Sequence, residues 1–226
     1  MPSFVALRVA RGEVSIGELA RYLLFLAIPL GFLVLAAIMF IQHGSYSILA
    51  NQISDLGALT KNPSGWYLFS IAMFTGAAVT LPLDALIDKK IKELGIKGGR
   101  AVSVLYYLGS IGMAGVGAFP SSWIHATHLA SAAVAFGGFA FANFIFFGIC
   151  FRQKRLRVAW PSVFFIPIAA LIITTQAISF GTGVFPADYT FLSFSLWEWT
   201  LFFAAIFLIV ATSLFLVRAS AIQAPN

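Results

Sequence analysis

Apolar residues run along this chain in six long stretches, divided by short polar segments that hold most of the charge. A bilayer hydrocarbon core of about 30 Å takes roughly 20 helical residues to cross. Stretches 22–42, 66–85, 101–118, 126–150, 162–185 and 196–217 have that length and apolarity. The pattern therefore predicts an all-α polytopic membrane protein, with six transmembrane helices in one bundle and 1–226 forming a single transmembrane domain. Local signals agree with these boundaries. Ser15-Ile-Gly-Glu18 has the spacing of a capping box ahead of the first span. Pro120 closes the third span and Pro161 opens the fifth, where a missing N–H does no harm. Pro167 is expected to bend the fifth helix or to split it. The first apolar run is longer than the roughly 7–15 residues of a signal-peptide core, so it reads as a retained anchor.

Composition strengthens the picture. Of 226 residues, 60% are hydrophobic and 10% charged, against about 25% charged in a soluble domain. Such a chain cannot hide its surplus apolar surface in a water-soluble core. The net charge of +6 does not point to nucleic acid, because the basic residues sit in short clusters between spans. Membrane lipids with anionic headgroups are the partners that this distribution fits. Cys150 is the only cysteine, so no disulfide forms within the chain, and it reads as a small packing residue.

Charge also sets the orientation. Arg8, Arg11 and Arg21 precede the first span, and Lys89, Lys90, Lys92, Lys97 and Arg100 follow the second. Arg152, Lys154, Arg155 and Arg157 follow the fourth, and Arg218 the sixth. Of the 14 basic residues only Lys61 falls on the other side. The positive-inside rule then places both termini in the cytoplasm of a multi-pass cell-membrane protein. Trp66, Trp123, Trp197 and Trp199 are expected to line the outer interface as an aromatic belt, with Trp160 at the inner one. Gly109, Gly112, Gly115 and Gly117 make the third span rich in small residues. Such stripes let helices approach closely in lipid, so this span is read as central to the bundle, with a homo-oligomer interface as the alternative.

On that topology the candidate chemistry gathers on the outer face. All three histidines, His43, His125 and His128, map there, together with Asp55, Asp188 and Glu198. The outer loop 43–65 is long for a helix–helix connection. In it Ile48, Leu49, Ile53 and Leu56 recur at helical spacing, with Ser47, Asn51, Ser54 and Asp55 on the remaining arc. This predicts a short amphipathic helix at the interface or folded over the bundle mouth. His125 and His128, three apart, can project from one helix face. Three imidazoles and a carboxylate are a donor set for zinc, so His43, His125, His128 and Asp55 are the candidate metal ligands. Ser54, Asp55 and His128 are the candidate catalytic residues. The competing reading is a structural polar network that pins the loop. Deeper in the membrane, Asn143 and Gln176 mark either a transport path or interhelical hydrogen bonds. The spacing of a phosphate loop is absent, as is a GxSxG elbow.

Tyr46-Ser47, Ile53-Ser54-Asp55-Leu56-Gly57, Phe119-Pro120 and His128 together resemble the prokaryotic family known as domain of unknown function 998. That family is similar to the Frag1/DRAM/Sfk1 group of six-span membrane proteins. The resemblance runs from Tyr22 to Val217, and the Ile-Ser-Asp-Leu-Gly run is its most specific part. It implies the six-span fold and an outer polar motif in which Ser54, Asp55 and His128 hold the motif positions. It implies a lean towards lipid but no activity.

Three functions fit these features. One is metal-assisted lipid hydrolysis or transfer, with zinc as cofactor. The second is a non-enzymatic lipid-binding scaffold or interaction protein, and the third is a small transporter or channel.

Overall fold

The computed structural model describes residues 2–41, 46–163, 168 and 193–223. Every regular element among the described residues is helical. A short helix α1 (Pro2–Ala10) is followed by α2 (Ile16–Met39), a 3₁₀ turn (Ile53–Gly57), α3 (Trp66–Glu93), α4 (Gly99–Ala118), α5 (His125–Arg152) and α6 (Phe194–Gln223). Five of these, α2 to α6, are long and apolar enough to cross a bilayer, which points to a membrane-embedded protein. A helix begins at 160–163, with Pro161 in its first turn. The rest of the expected fifth span, including Pro167 and Gln176, lies outside the described residues.

Caps and ion pairs explain why several helices outrun their apolar windows. Before α2 the Glu18 N–H donates to Ser15 Oγ and the Ser15 N–H to Glu18 Oε2, completing the capping box. The charged tail of α3 continues to Glu93 because Asp88 pairs with Lys92 and Glu93 with Lys90, one helical turn apart. Helix α1 is tied to this end of α3: Lys89 donates to the Arg11 carbonyl, and Arg8 reaches Glu18 of α2 at 2.5 Å.

Helix α3, not the glycine-rich α4, is the hub among the described residues. It packs against α1, α2, α4, α6 and the 3₁₀ turn, whereas α4 packs chiefly against α3 and α5. The glycines of α4 serve close approach to those two neighbours. A Cβ at Gly138 of α5 would lie 2.6 Å from the Gly109 nitrogen, and one at Gly117 would lie 2.9 Å from the Ser70 carbonyl of α3. Small residues on facing helices thus let the backbones nearly touch. The α4 glycines spend their small size inside the bundle.

Polar groups within the bundle are mostly paired, as a medium without water requires. Asn143, fully buried, accepts from Tyr106 and Ser162 and donates to the Phe139 carbonyl. Tyr106 also reaches Thr212 of α6 at 3.3 Å. Pro82 interrupts the hydrogen-bond ladder of α3, and the Tyr22 hydroxyl donates to the nearby Val79 carbonyl at 3.0 Å. Ser110 joins α4 to α3 through Asp84 and Thr80. Cys150 is buried in the core, in keeping with a packing role.

Candidate functional site

The segment between α2 and α3 folds inward. Residues 48–50 form a turn and Ile53–Gly57 a 3₁₀ turn, every residue of which is buried. The expected amphipathic helix with an apolar and a polar arc is therefore not what the loop becomes; of the two expected placements, the fold over the bundle is the one nearer to the observed turn. Instead, Ile53 and Leu56 enter the core while Ser54 and Asp55 are enclosed with them. The fit is close: a Cβ at Gly57 would meet the Phe69 ring of α3 at 2.5 Å.

Four contacts hold this turn in place. The Asn62 side chain, fully buried, donates to the carbonyls of Ala37 in α2 and Leu56 in the turn, both at 2.9 Å. Trp199 of α6 donates its indole N–H to the Asn51 carbonyl at 3.1 Å. The Tyr46 hydroxyl donates to the Gln52 carbonyl at 3.0 Å, and burial pushes this phenol above its ordinary range. Beyond the turn, the Leu59 N–H donates to Ser122 Oγ, linking the loop to the α4–α5 connection.

Asp55 uses both carboxylate oxygens within its own loop. Oδ2 accepts the Gln52 N–H at 3.1 Å and Oδ1 meets Lys61 Nζ at 2.9 Å. Lys61, the one basic residue on this side of the expected topology, thus neutralises the buried acid. Ser54 points across to α6. Its hydroxyl lies 3.4 Å from Glu198 Oε2 and its N–H 3.5 Å from the same oxygen. His128 of α5 is buried, with Nδ1 2.8 Å from the Phe119 carbonyl. A carbonyl only accepts, so Nδ1 carries the hydrogen and Nε2 is left as the ring's acceptor.

These groups surround one cavity of about 480 Å³ between the 3₁₀ turn, α5 and α6. Ser54, Asp55, Lys61, His125, His128 and Glu198 give it a polar end, while Leu129, Ala132, Ala133, Phe136 and Leu201 give it an apolar wall. The structure thus brings Ser54, Asp55, His125 and His128 to one space, although they come from a loop and a helix far apart in sequence. His43 and Asp188 lie outside the described residues. Among the described residues no group of three His, Cys, Asp or Glu side chains is placed to hold a metal ion. A zinc site of the kind expected from the sequence would need His43 to join it, and would compete with Lys61 and the Gln52 N–H for Asp55.

Three residues of α6 have roles that their place in the sequence does not reveal: Glu198, Trp197 and Trp199. Glu198 was grouped with the outer acids, but its contact with Ser54 is tertiary and leaves no local signature. Trp197 and Trp199 were assigned to an interfacial belt, yet they are 8% and 3% exposed and turn into the bundle. Trp199 is spent on holding the loop, and Trp197 lines the cavity with its indole N–H unpartnered among the described residues. Trp66 and Trp123 do form a surface pair, with ring centroids 5.3 Å apart.

A family model described as "Protein of unknown function (DUF998)" matches residues 25–214, and the chain belongs to that family. That match takes in α3, α4, α5, the 3₁₀ turn and most of α2 and α6. Comparison with curated proteins and with solved structures gives no match.

Proposed function

We propose that this member of the family binds an amphipathic lipid, taking its headgroup into the cavity beside the 3₁₀ turn, with that end of the bundle at the outer membrane face. The observation that carries this reading is the two-sided lining of the 480 Å³ cavity, polar at one end and aliphatic along the other wall. Ligand pockets combine an apolar surface with a few placed polar groups in this way. Lys61 and His125 suit a phosphate or carboxylate, while Ser54, Glu198 and the acceptor Nε2 of His128 suit hydroxyl groups on a headgroup. Leu129, Phe136 and Leu201 suit the first methylenes of an acyl chain. Lipid analysis of the purified protein tests this. Wild type should carry a stoichiometric lipid over several detergent exchanges, and His125→Ala with Glu198→Ala should lose it while keeping its helix content. Equal lipid retention by that variant would overturn the reading.

A second reading, turnover of that lipid by hydrolysis or acyl transfer, is favoured by the Ser54–Glu198 contact beside two imidazoles. A hydroxyl next to a carboxylate can be activated as a nucleophile, and His128 Nε2 or His125 supplies a proton acceptor on the same cavity. Asp55 acts in this arrangement by positioning the turn. Release of a labelled acyl chain or headgroup by wild type but not by Ser54→Ala supports turnover; lipid retained intact by both leaves binding alone.

A further inference from the structure

A second cavity, of about 580 Å³, lies at the opposite end of the bundle, between the loop after α5 and the last turns of α6. Arg157 reaches it from the loop and Arg218 from α6, and Leu156, Trp160, Phe215 and Ile222 supply apolar surface. Three acids of this end are engaged elsewhere: Glu18 with Arg8, Asp88 with Lys92, and Glu93 with Lys89 and Lys90. Arg155, in the same loop, is spent on the Leu94 carbonyl. Arg157 and Arg218 have no hydrogen-bond or ion-pair partner among the described residues. Two guanidinium groups from separate elements thus flank one apolar space with no acidic partner among the described residues.

A guanidinium is a planar fork of donors that matches phosphate oxygens two at a time. A free inorganic anion would use the arginines but leave the apolar part of the cavity in water. That part is considerable, since Ile222 is 76% and Leu156 40% exposed. A ligand with both a negative headgroup and acyl chains satisfies the two halves together, as basic pockets at the cytoplasmic ends of membrane helices do for anionic lipids. We propose that Arg157 and Arg218 form a binding site for the phosphate of an anionic phospholipid, whose acyl chains lie along Trp160, Phe215 and Ile222. This site shares no residue with the cavity at the other end and stands independently of the function proposed for it.

Quenching of Trp160 tests the site directly. The full chain is placed in phosphatidylcholine vesicles containing, at equal share, either acyl-brominated phosphatidylglycerol or acyl-brominated phosphatidylcholine. The Trp160 signal is taken as the difference from Trp160→Phe. Brominated phosphatidylglycerol should quench it severalfold more strongly than brominated phosphatidylcholine. Arg157→Gln with Arg218→Gln should erase that preference, whereas Arg152→Gln with Lys154→Gln, an equal charge loss at the end of α5 and in the loop after it but outside the cavity, should keep it. Added inorganic phosphate should not displace the lipid. Should the first double variant fail to fold, Arg218→Gln alone carries the comparison. Equal quenching by the two lipids, a preference that survives loss of Arg157 and Arg218, equal loss in the control pair, or displacement by phosphate would each overturn the proposal.

Discussion

The Ser54 hydroxyl donates to the Glu198 carboxylate across 3.4 Å, joining positions 144 residues apart. It is the side-chain contact by which the 3₁₀ turn reaches α6 across the mouth of the cavity. A single buried hydrogen bond contributes about 0.5–1.5 kcal/mol, somewhat more when one partner is charged. Ser54→Ala and Glu198→Ala should each lower stability in detergent by roughly that amount. Because they remove the same contact, the double variant should lose less than the sum of the two. Denaturant unfolding of all three variants gives the coupling; simple additivity would mean the contact carries no energy.

Asp55 and Lys61 form a pair with unequal burial, the side chains being 8% and 58% exposed. An ion pair with one partner this exposed is worth about 0–1 kcal/mol, so Lys61→Gln should cost little. Asp55→Asn puts a carboxamide nitrogen against either the ammonium or the Gln52 N–H, both of which are donors. It should cost about 1.5–3 kcal/mol. Thermal unfolding should therefore rank Asp55→Asn well below Lys61→Gln.

Two glycines of α5 should respond in opposite directions to the same change. At Gly138 a Cβ lies 2.6 Å from the Gly109 backbone, and at Gly148 it meets nothing within 4 Å. Gly138→Ala forces α4 and α5 apart and should destabilise by about 1–3 kcal/mol. Gly148→Ala should stabilise by about 0.5–1 kcal/mol, because a helix interior favours alanine. The midpoint shift of each variant in a detergent melt checks the sign.

Asn143 accepts from Tyr106 and Ser162, at 3.2 and 3.0 Å, deep in the bundle. Asn143→Leu removes the acceptor from Ser162 and leaves Tyr106 with Thr212 alone. A buried donor without a partner costs about 1–3 kcal/mol, and the variant should unfold earlier by that margin. A variant as stable as wild type would free Asn143 from its bracing role and reopen a transport role for it.

The helices were legible because runs of apolar residues can mean little else at that length, and because Ser15 and Glu18 mark the start of α2 in the residues themselves. The histidine pair was legible too, since a spacing of three sets side chains on one helical face. What could not be read was where the 43–65 loop goes. Ile53, Leu56, Ser54 and Asp55 alternate as an amphipathic surface helix would. Their burial depends on Asn62, Trp199 and Phe69, whose contacts are made only once the bundle has formed. Trp197 and Trp199 misled for a related reason: position near a helix end predicts depth in the membrane but not which way a ring turns. The hub role of α3 was hidden behind the glycines of α4, which report close contact without saying with how many neighbours.

Asn62 has a mechanical consequence. One carboxamide nitrogen holds the Ala37 carbonyl near the end of α2 and the Leu56 carbonyl of the 3₁₀ turn at equal distances. The turn is thus coupled to a helix whose outer flank carries exposed Phe32 and Leu35. The segment is thus strapped to α2 through Asn62 and to α6 through Trp199 and Ser54, so one short stretch of chain ties those two helix ends together.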